Sequence, residues 1–323
     1  MRPPRLLLLV LLLLGALVRA EEPFFKKGDV IAIVGGEDMV ALSEYGYLEL
    51  LLTRALPDYH LRFRNLAWEG DTVFEQRRDL NFPTWEEQLE KIGATVVLCQ
   101  FGQMESFAGK KKRPEFVAAY EKLLARLSNG GKRRLVLVLP FSDNEPKRTE
   151  FTSPHSAAEF EAEKAEMRAP NYSDFALHYA TSHDCRVLFA MMTQSPEDGF
   201  YKPDQLHLSE FGHGFAALDF AAQLISGREA MPSDRSAQFL DKKEAEPLRQ
   251  LIVAKNRLWF DYWRVQNWAF LAGDRTNQPS SRDHLDPARR WFPEERERFL
   301  PLIEAKERAI DALAAKLATN VNQ

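Results

Sequence analysis

Cysteine is scarce. Cys99 and Cys185 are the only two in 323 residues, so no disulfide framework can hold this chain and a buried core must do so. One falls near the end of a predicted strand and the other near the start of a later one, which places them at opposite edges of a parallel sheet and predicts two buried free thiols. A basic excess is also missing: the formal charge is -4, which argues against nucleic acid as a partner. Past residue 20 there is no internal repeat or low-complexity tract, so a repeat array is excluded. Nor does any later apolar run approach the roughly 20 residues that a membrane span needs.

The first 20 residues differ from the rest. Arg2 and Arg5 precede the apolar run Leu6–Leu14, and Val18-Arg19-Ala20 offers small residues where a signal peptidase reads. We therefore expect residues 1–20 to be a cleaved signal, the mature chain to start near Glu21, and the protein to be exported, to the periplasm or outside the cell. Cleavage removes Arg2, Arg5 and Arg19 and no acid, which takes the formal charge from -4 to -7. With 45% hydrophobic and 28% charged residues, the remainder is ordinary for a soluble, enzyme-sized chain.

What is present begins with Asp29-Val-Ile-Ala-Ile-Val-Gly-Gly-Glu-Asp38, an apolar run that breaks on two glycines. It predicts a buried parallel strand ending in a tight turn, with Glu37 and Asp38 at the ligand-binding edge of the sheet. A helix is expected over 41–56, then a strand over 60–65 and a turn at Gly70, where Asp71 could cap a helix. A helix over 85–92 and strands over 95–101, 134–140 and 185–191 follow, with an amphipathic helix over 116–127 and another over 210–225. Five strands alternating with helices imply a parallel sheet with right-handed crossovers. Residues 227–243 read as a polar linker and 244–318 as a helical extension carrying Trp259, Tyr262, Trp263, Leu300 and Ile303 at helical spacing.

Across residues 28–226 the chain resembles the SGNH, or GDSL-type, hydrolases. Arg64-Asn-Leu-Ala-Trp-Glu-Gly-Asp-Thr-Val73 is similar to that family's second block, and Asp204-Gln-Leu-His207 to its last. The resemblance implies a three-layer α/β/α, flavodoxin-like parallel sheet of five strands. It also implies Gly70 as an oxyanion donor, His207 as general base and Asp204 as its orienting partner. Two blocks depart from the pattern. Glu37 stands where the nucleophilic serine belongs, and Gly102-Gln-Met-Glu105 puts Met104 in place of an asparagine, whose amide it cannot replace as a donor. Ester hydrolysis, plausibly of acylated carbohydrate, is the nearest implied activity, with a divergent exported bacterial subgroup the nearest match.

Each of these residues also has a plainer reading. Asp204 and His207 fit a capped turn, and Glu37 and Asp38 fit a helix N-terminus that favours acids. A water-activating Glu37–His207 pair is the sharper alternative, although a neighbouring carboxylate tends to keep an imidazole protonated. A metal bound by Glu37, Asp38, Asp204 and His207 is not favoured by their spacing, and no cofactor is implied. Asp38, Asp71, Met104, Glu105 and, from the extension, Arg275 are the expected substrate contacts. Aromatics and amides of the extension, Asn256, Trp259, Trp263 and Arg264 among them, suit a sugar-binding surface. The competing function is a non-catalytic protein that keeps the pocket to hold a glycan or acyl ligand.

Overall fold

Successive residues of β1 (Val30–Gly35) enter different cores, Ile31 and Ile33 on one face of the sheet, Ala32 and Val34 on the other. Apolar side chains on both faces are what an interior parallel strand requires. The computed structural model describes residues 24–141, 172–192, 196–226 and 242–321. The leader, Ser142 and nearly all of the expected linker lie outside them.

Helices α1 (Glu37–Tyr45) and α2 (Tyr47–Ala55) follow β1, where one helix was expected. Gly46 separates them with φ +70, a left-handed conformation that ends a right-handed helix. Next come β2 (Arg62–Asn65), α3 (Trp85–Lys91), β3 (Val96–Gln100), α4 (Gln103–Ser106), α5 (Arg113–Ser128) and β4 (Arg134–Val138). Then α6 (Phe175–Ala180), β5 (Arg186–Leu188) and α7 (Glu210–Ser226) complete the layers. The strands are all parallel, in the order β2-β1-β3-β4-β5. Helices α1, α2 and α7 pack on one face and α3, α5 and α6 on the other, giving the expected three-layer α/β/α architecture.

The cysteines need correction. Both are free, but Cys185 is only half-buried. Cys99 pairs with Leu137 while Cys185 directly precedes Arg186, the partner of Val136, so Cys185 lies about two residues nearer the amino edge of the sheet, with β4 between the two.

The C-terminal helices are α8 (Lys242–Trp263), α9 (Trp268–Leu271), α10 (Trp291–Glu297) and α11 (Phe299–Val321). Trp259, Tyr262, Trp263 and Ile303 share a core with Ala32, Val34 and Val97 of the sheet. Along the edge strand β2, Arg62 makes paired bonds to Asp311 at 2.7 and 3.1 Å, and Arg64 reaches Glu307 at 2.6 Å. Covering an edge strand in this way removes a surface open to pairing with other chains. Behind it, the Lys255 ammonium is 1% exposed and sits 2.9 Å from Glu49, which joins α8 to α2.

Removing one partner of a buried ion pair strands the other charge, at a cost of about 3 kcal/mol or more. Glu49→Ala should therefore lower unfolding stability by about that much in urea titrations, whereas Glu49→Leu with Lys255→Met should recover most of the loss.

Candidate functional site

Three turns meet at the carboxyl edge of the sheet. At the first, Gly35 has φ +145, and a Cβ there would lie 2.6 Å from both the Gln100 carbonyl oxygen and Met39 Cγ, so no side chain fits. Gly36 then caps α1, which puts Glu37 and Asp38 in the helix's first turn. The second turn is tied to the first, because Trp68 N–H donates to the Gly35 carbonyl at 3.1 Å. Gly70 within it is exposed at φ +82. Among the described residues nothing accepts from its N–H. At the third turn Glu105 accepts from the N–H groups of Gly102, at 2.8 Å, and Val73, at 2.7 Å, stapling the second and third turns together.

His207 stands opposite α1 on a loop organised by Asp204. One Asp204 oxygen accepts from the Leu206 and His207 N–H groups at 2.9 and 3.0 Å, and the other lies 2.8 Å from His207 Nδ1. Asp204 is thus both the turn cap and the imidazole's partner. Between them Gln205 takes φ +56, a left-handed conformation that costs a non-glycine residue on the order of 1 kcal/mol. Gln103 Nε2 bonds the Leu206 carbonyl at 3.0 Å, docking this loop on the third turn.

Across the gap, Glu37 Oε2 is 3.1 Å from His207 Nε2. The imidazole therefore has a carboxylate at each nitrogen. Partial burial opposes its charge, but the Asp204 hydrogen bond and the charges of Glu37, Asp204 and Asp38 outweigh that, so its pKa is raised. His207 bonding and the two N–H groups hold Asp204 well below the usual carboxylate range.

Asp38 lies behind this pair, 2% exposed. It accepts from the Leu208 N–H, but Oδ2 has no partner among the described residues. Burial pushes its pKa up to about 7, against the opposing pull of His207 and with the help of Glu37.

Of the other expected contacts, the structure places Met104 at the surface, 47% exposed on α4, next to the buried Glu105. Glu105 cannot meet a ligand as expected, because burial and its two N–H partners commit it to the scaffold. Asp71 caps no helix: the next helix after it starts at Trp85, and its carboxylate is buried against Arg78 at 2.6 and 2.7 Å. Arg275 lies over the Phe270 ring, with its N–H on Ala269, and no contact among the described residues brings it to His207. Glu37 and Asp204 occupy opposite edges of the imidazole, so they share no centre for a metal. No group of three or more potential ligands among the described residues does.

Arg264, expected on a sugar-binding surface, and Arg78, to which the sequence gives no role, are both structural here. Arg264, just past α8, stacks 3.9 Å from the Trp68 ring centroid and pairs with Glu69 at 2.6 Å, while Arg78 stacks on the same indole at 4.4 Å. They brace the Gly70 turn from separate parts of the chain, and no local spacing signals such a contact.

No known protein-family model matches the chain, and no curated protein matches it in sequence. A gut microbial diltiazem-metabolizing enzyme aligns at 12% identity over 91% of this chain and 95% of its own, with a TM-score of 0.52. An alpha/beta hydrolase enzyme from the metagenome of Lake Arreo, Spain, aligns at 17% identity, over 62% of this chain and 97% of its own, with a TM-score of 0.43. A family two carbohydrate esterase from Clostridium thermocellum, in complex with cellohexaose, aligns at 14% identity, covering 67% of this chain and 66% of its own, with a TM-score of 0.39. What the first of these shares with this chain is its fold, over nearly the full length of both.

The Asp38 carboxyl carries a testable sign. Its folded pKa lies above its unfolded one, so stability is highest below pH 4 as far as this group is concerned, and is lost as pH rises through about 7. Asp38→Asn should therefore gain on the wild type between pH 4 and 8, by up to about 4 kcal/mol in denaturant titrations. A difference that is flat with pH would contradict the buried neutral acid.

Proposed function

We propose that this is an exported SGNH-type protein that hydrolyses acyl esters, carbohydrate esters among them, by direct attack of water. The observation that carries the reading is the 3.1 Å approach of Glu37 to His207 at the position of the missing serine. With no hydroxyl there, the serine acyl-enzyme route is closed. Glu37 takes a proton from water as the water oxygen bonds to the ester carbonyl carbon. As the carbon–oxygen bond to the alcohol breaks, the His207 imidazolium gives its Nε2 proton to the departing oxygen, and Glu37 returns its proton to His207. Asp204 holds the ring, and the Gly70 N–H serves the oxyanion. Met104 supplies no second donor, which in a comparable site is worth roughly 3 kcal/mol of barrier.

The same salt-bridged imidazolium favours a second reading. A base already protonated, in a pocket short of one oxyanion donor, suits a protein that holds a glycan or acyl ligand without cleaving it. Export rests on residues 1–20, and among the described residues no helix is long and apolar enough to cross a membrane.

Hydrolysis of short activated acyl esters separates the two. If water attack operates, Glu37→Gln and His207→Ala should each lower kcat by about 100-fold or more. A silent wild type beside an active Glu37→Ser would instead remove water attack and make the binding reading the leading one.

A further inference from the structure

A cavity of about 250 Å³ lies between α1, the turn after β2, and α8. Its α1 wall is Val40, Ser43 and Glu44. Glu37 precedes Val40 by three residues and Glu44 by seven, so at 3.6 residues per turn all three share one face of the helix. At 1.5 Å per residue the cavity's far end is about 10 Å along the axis from Glu37. The second wall, Ala67 and Glu69, stops one residue short of Gly70. The cavity thus continues the candidate site along α1, within reach of a group attached to an ester held at Glu37.

Its walls are already braced. Trp259 Nε1 donates to the Asn65 carbonyl at 2.8 Å, Asn65 Nδ2 to Ser43 Oγ at 2.7 Å, and Asn256 Nδ2 to the Ser43 carbonyl at 3.1 Å. These bonds leave the Asn256 oxygen, the Ser43 hydroxyl proton and the Glu44 carboxylate for a ligand. Phe260, half-buried, adds an aromatic surface beside Trp259 and Trp263. Aromatic surface with a few convergent acceptors and one hydroxyl suits a ring that has apolar C–H faces and an edge of hydroxyl groups. The charge is unequal: of the ionic groups lining the space, Glu69 is paired with Arg264 at 2.6 Å and Arg257 with Asp261 at 3.0 Å, which leaves the Glu44 carboxylate uncompensated among the described residues. An anionic ring would be repelled.

We propose that this cavity is a subsite for one neutral pyranose ring, the sugar of an acylated carbohydrate whose ester lies at Glu37. The sugar subsite stands on the cavity itself, and its link to an ester rests on the hydrolase reading above.

The test is titration of methyl hexopyranosides and methyl glucuronide into the full mature chain, followed by NMR, with Phe260→Ala and Glu44→Gln as variants. Saturable binding of a neutral hexoside is expected, weakened about fivefold or more in each variant and weaker for the glucuronide. Absence of neutral hexoside binding, or binding that both variants leave unchanged, would overturn the subsite. Glu44 is exposed, so its variant keeps the test valid if Phe260→Ala fails to fold. Sugar binding without cleavage of acetylated hexosides would leave the subsite standing and remove the hydrolase reading. Ester cleavage without sugar binding would do the reverse.

Discussion

Parallel pairing is the constraint from which the rest of this structure follows. It sends the carboxyl ends of all five strands to one edge, so four loops distant in sequence must share a small volume. The crowding then dictates residues. Gly35 has no room for a side chain, Glu105 is consumed in stapling two turns, and Gln103 anchors the loop that carries His207. The C-terminal helices belong to the same assembly, since Arg264 braces Trp68 beside Gly70 while α11 covers the edge strand.

On the proposed reading, a carboxylate in place of a hydroxyl changes the electrostatics as well as the nucleophile. In a serine hydrolase the imidazole must stay neutral to accept a proton. Here it lies between two carboxylates, which favour its charged form and, on the proposed reading, suit it to donate a proton rather than accept one. Asp38 moderates this balance from behind. As a buried acid near its midpoint at neutral pH, it adds less negative charge to the cluster than its sequence neighbourhood suggests.

Much of the fold was legible because its signals are local. Apolar runs broken by glycine marked β1 and β3, and helical spacing marked α5, α7 and the C-terminal helices. Asp204 and His207 were legible as a pair only through the resemblance of Asp204-Gln-Leu-His207 to the last SGNH block, since the residues alone fit a capped turn equally well. The misses were tertiary. Leucine spacing across residues 41–56 conceals the break at Gly46, which depends on backbone conformation rather than on hydrophobicity. The burial of Glu105 and Asp71 is decided by partners that spacing does not reveal, Val73 for one and Arg78 for the other. The aromatics at the end of α8 read as either core or ligand surface, and the structure buries Trp259, Tyr262 and Trp263 in the core. Trp259 is nearly enclosed in the core yet also borders the cavity beside α1.

The central claim is that His207 is an imidazolium held between Glu37 and Asp204. Nitrogen-15 NMR of the histidine side chains in the mature protein at pH 7.5 tests it directly, with His207→Gln assigning the signal. The account predicts that both ring nitrogens of His207 carry protons at that pH and that the ring titrates only above the ordinary histidine range. A neutral single tautomer at pH 7.5 would contradict it and restore His207 to the role of a free base.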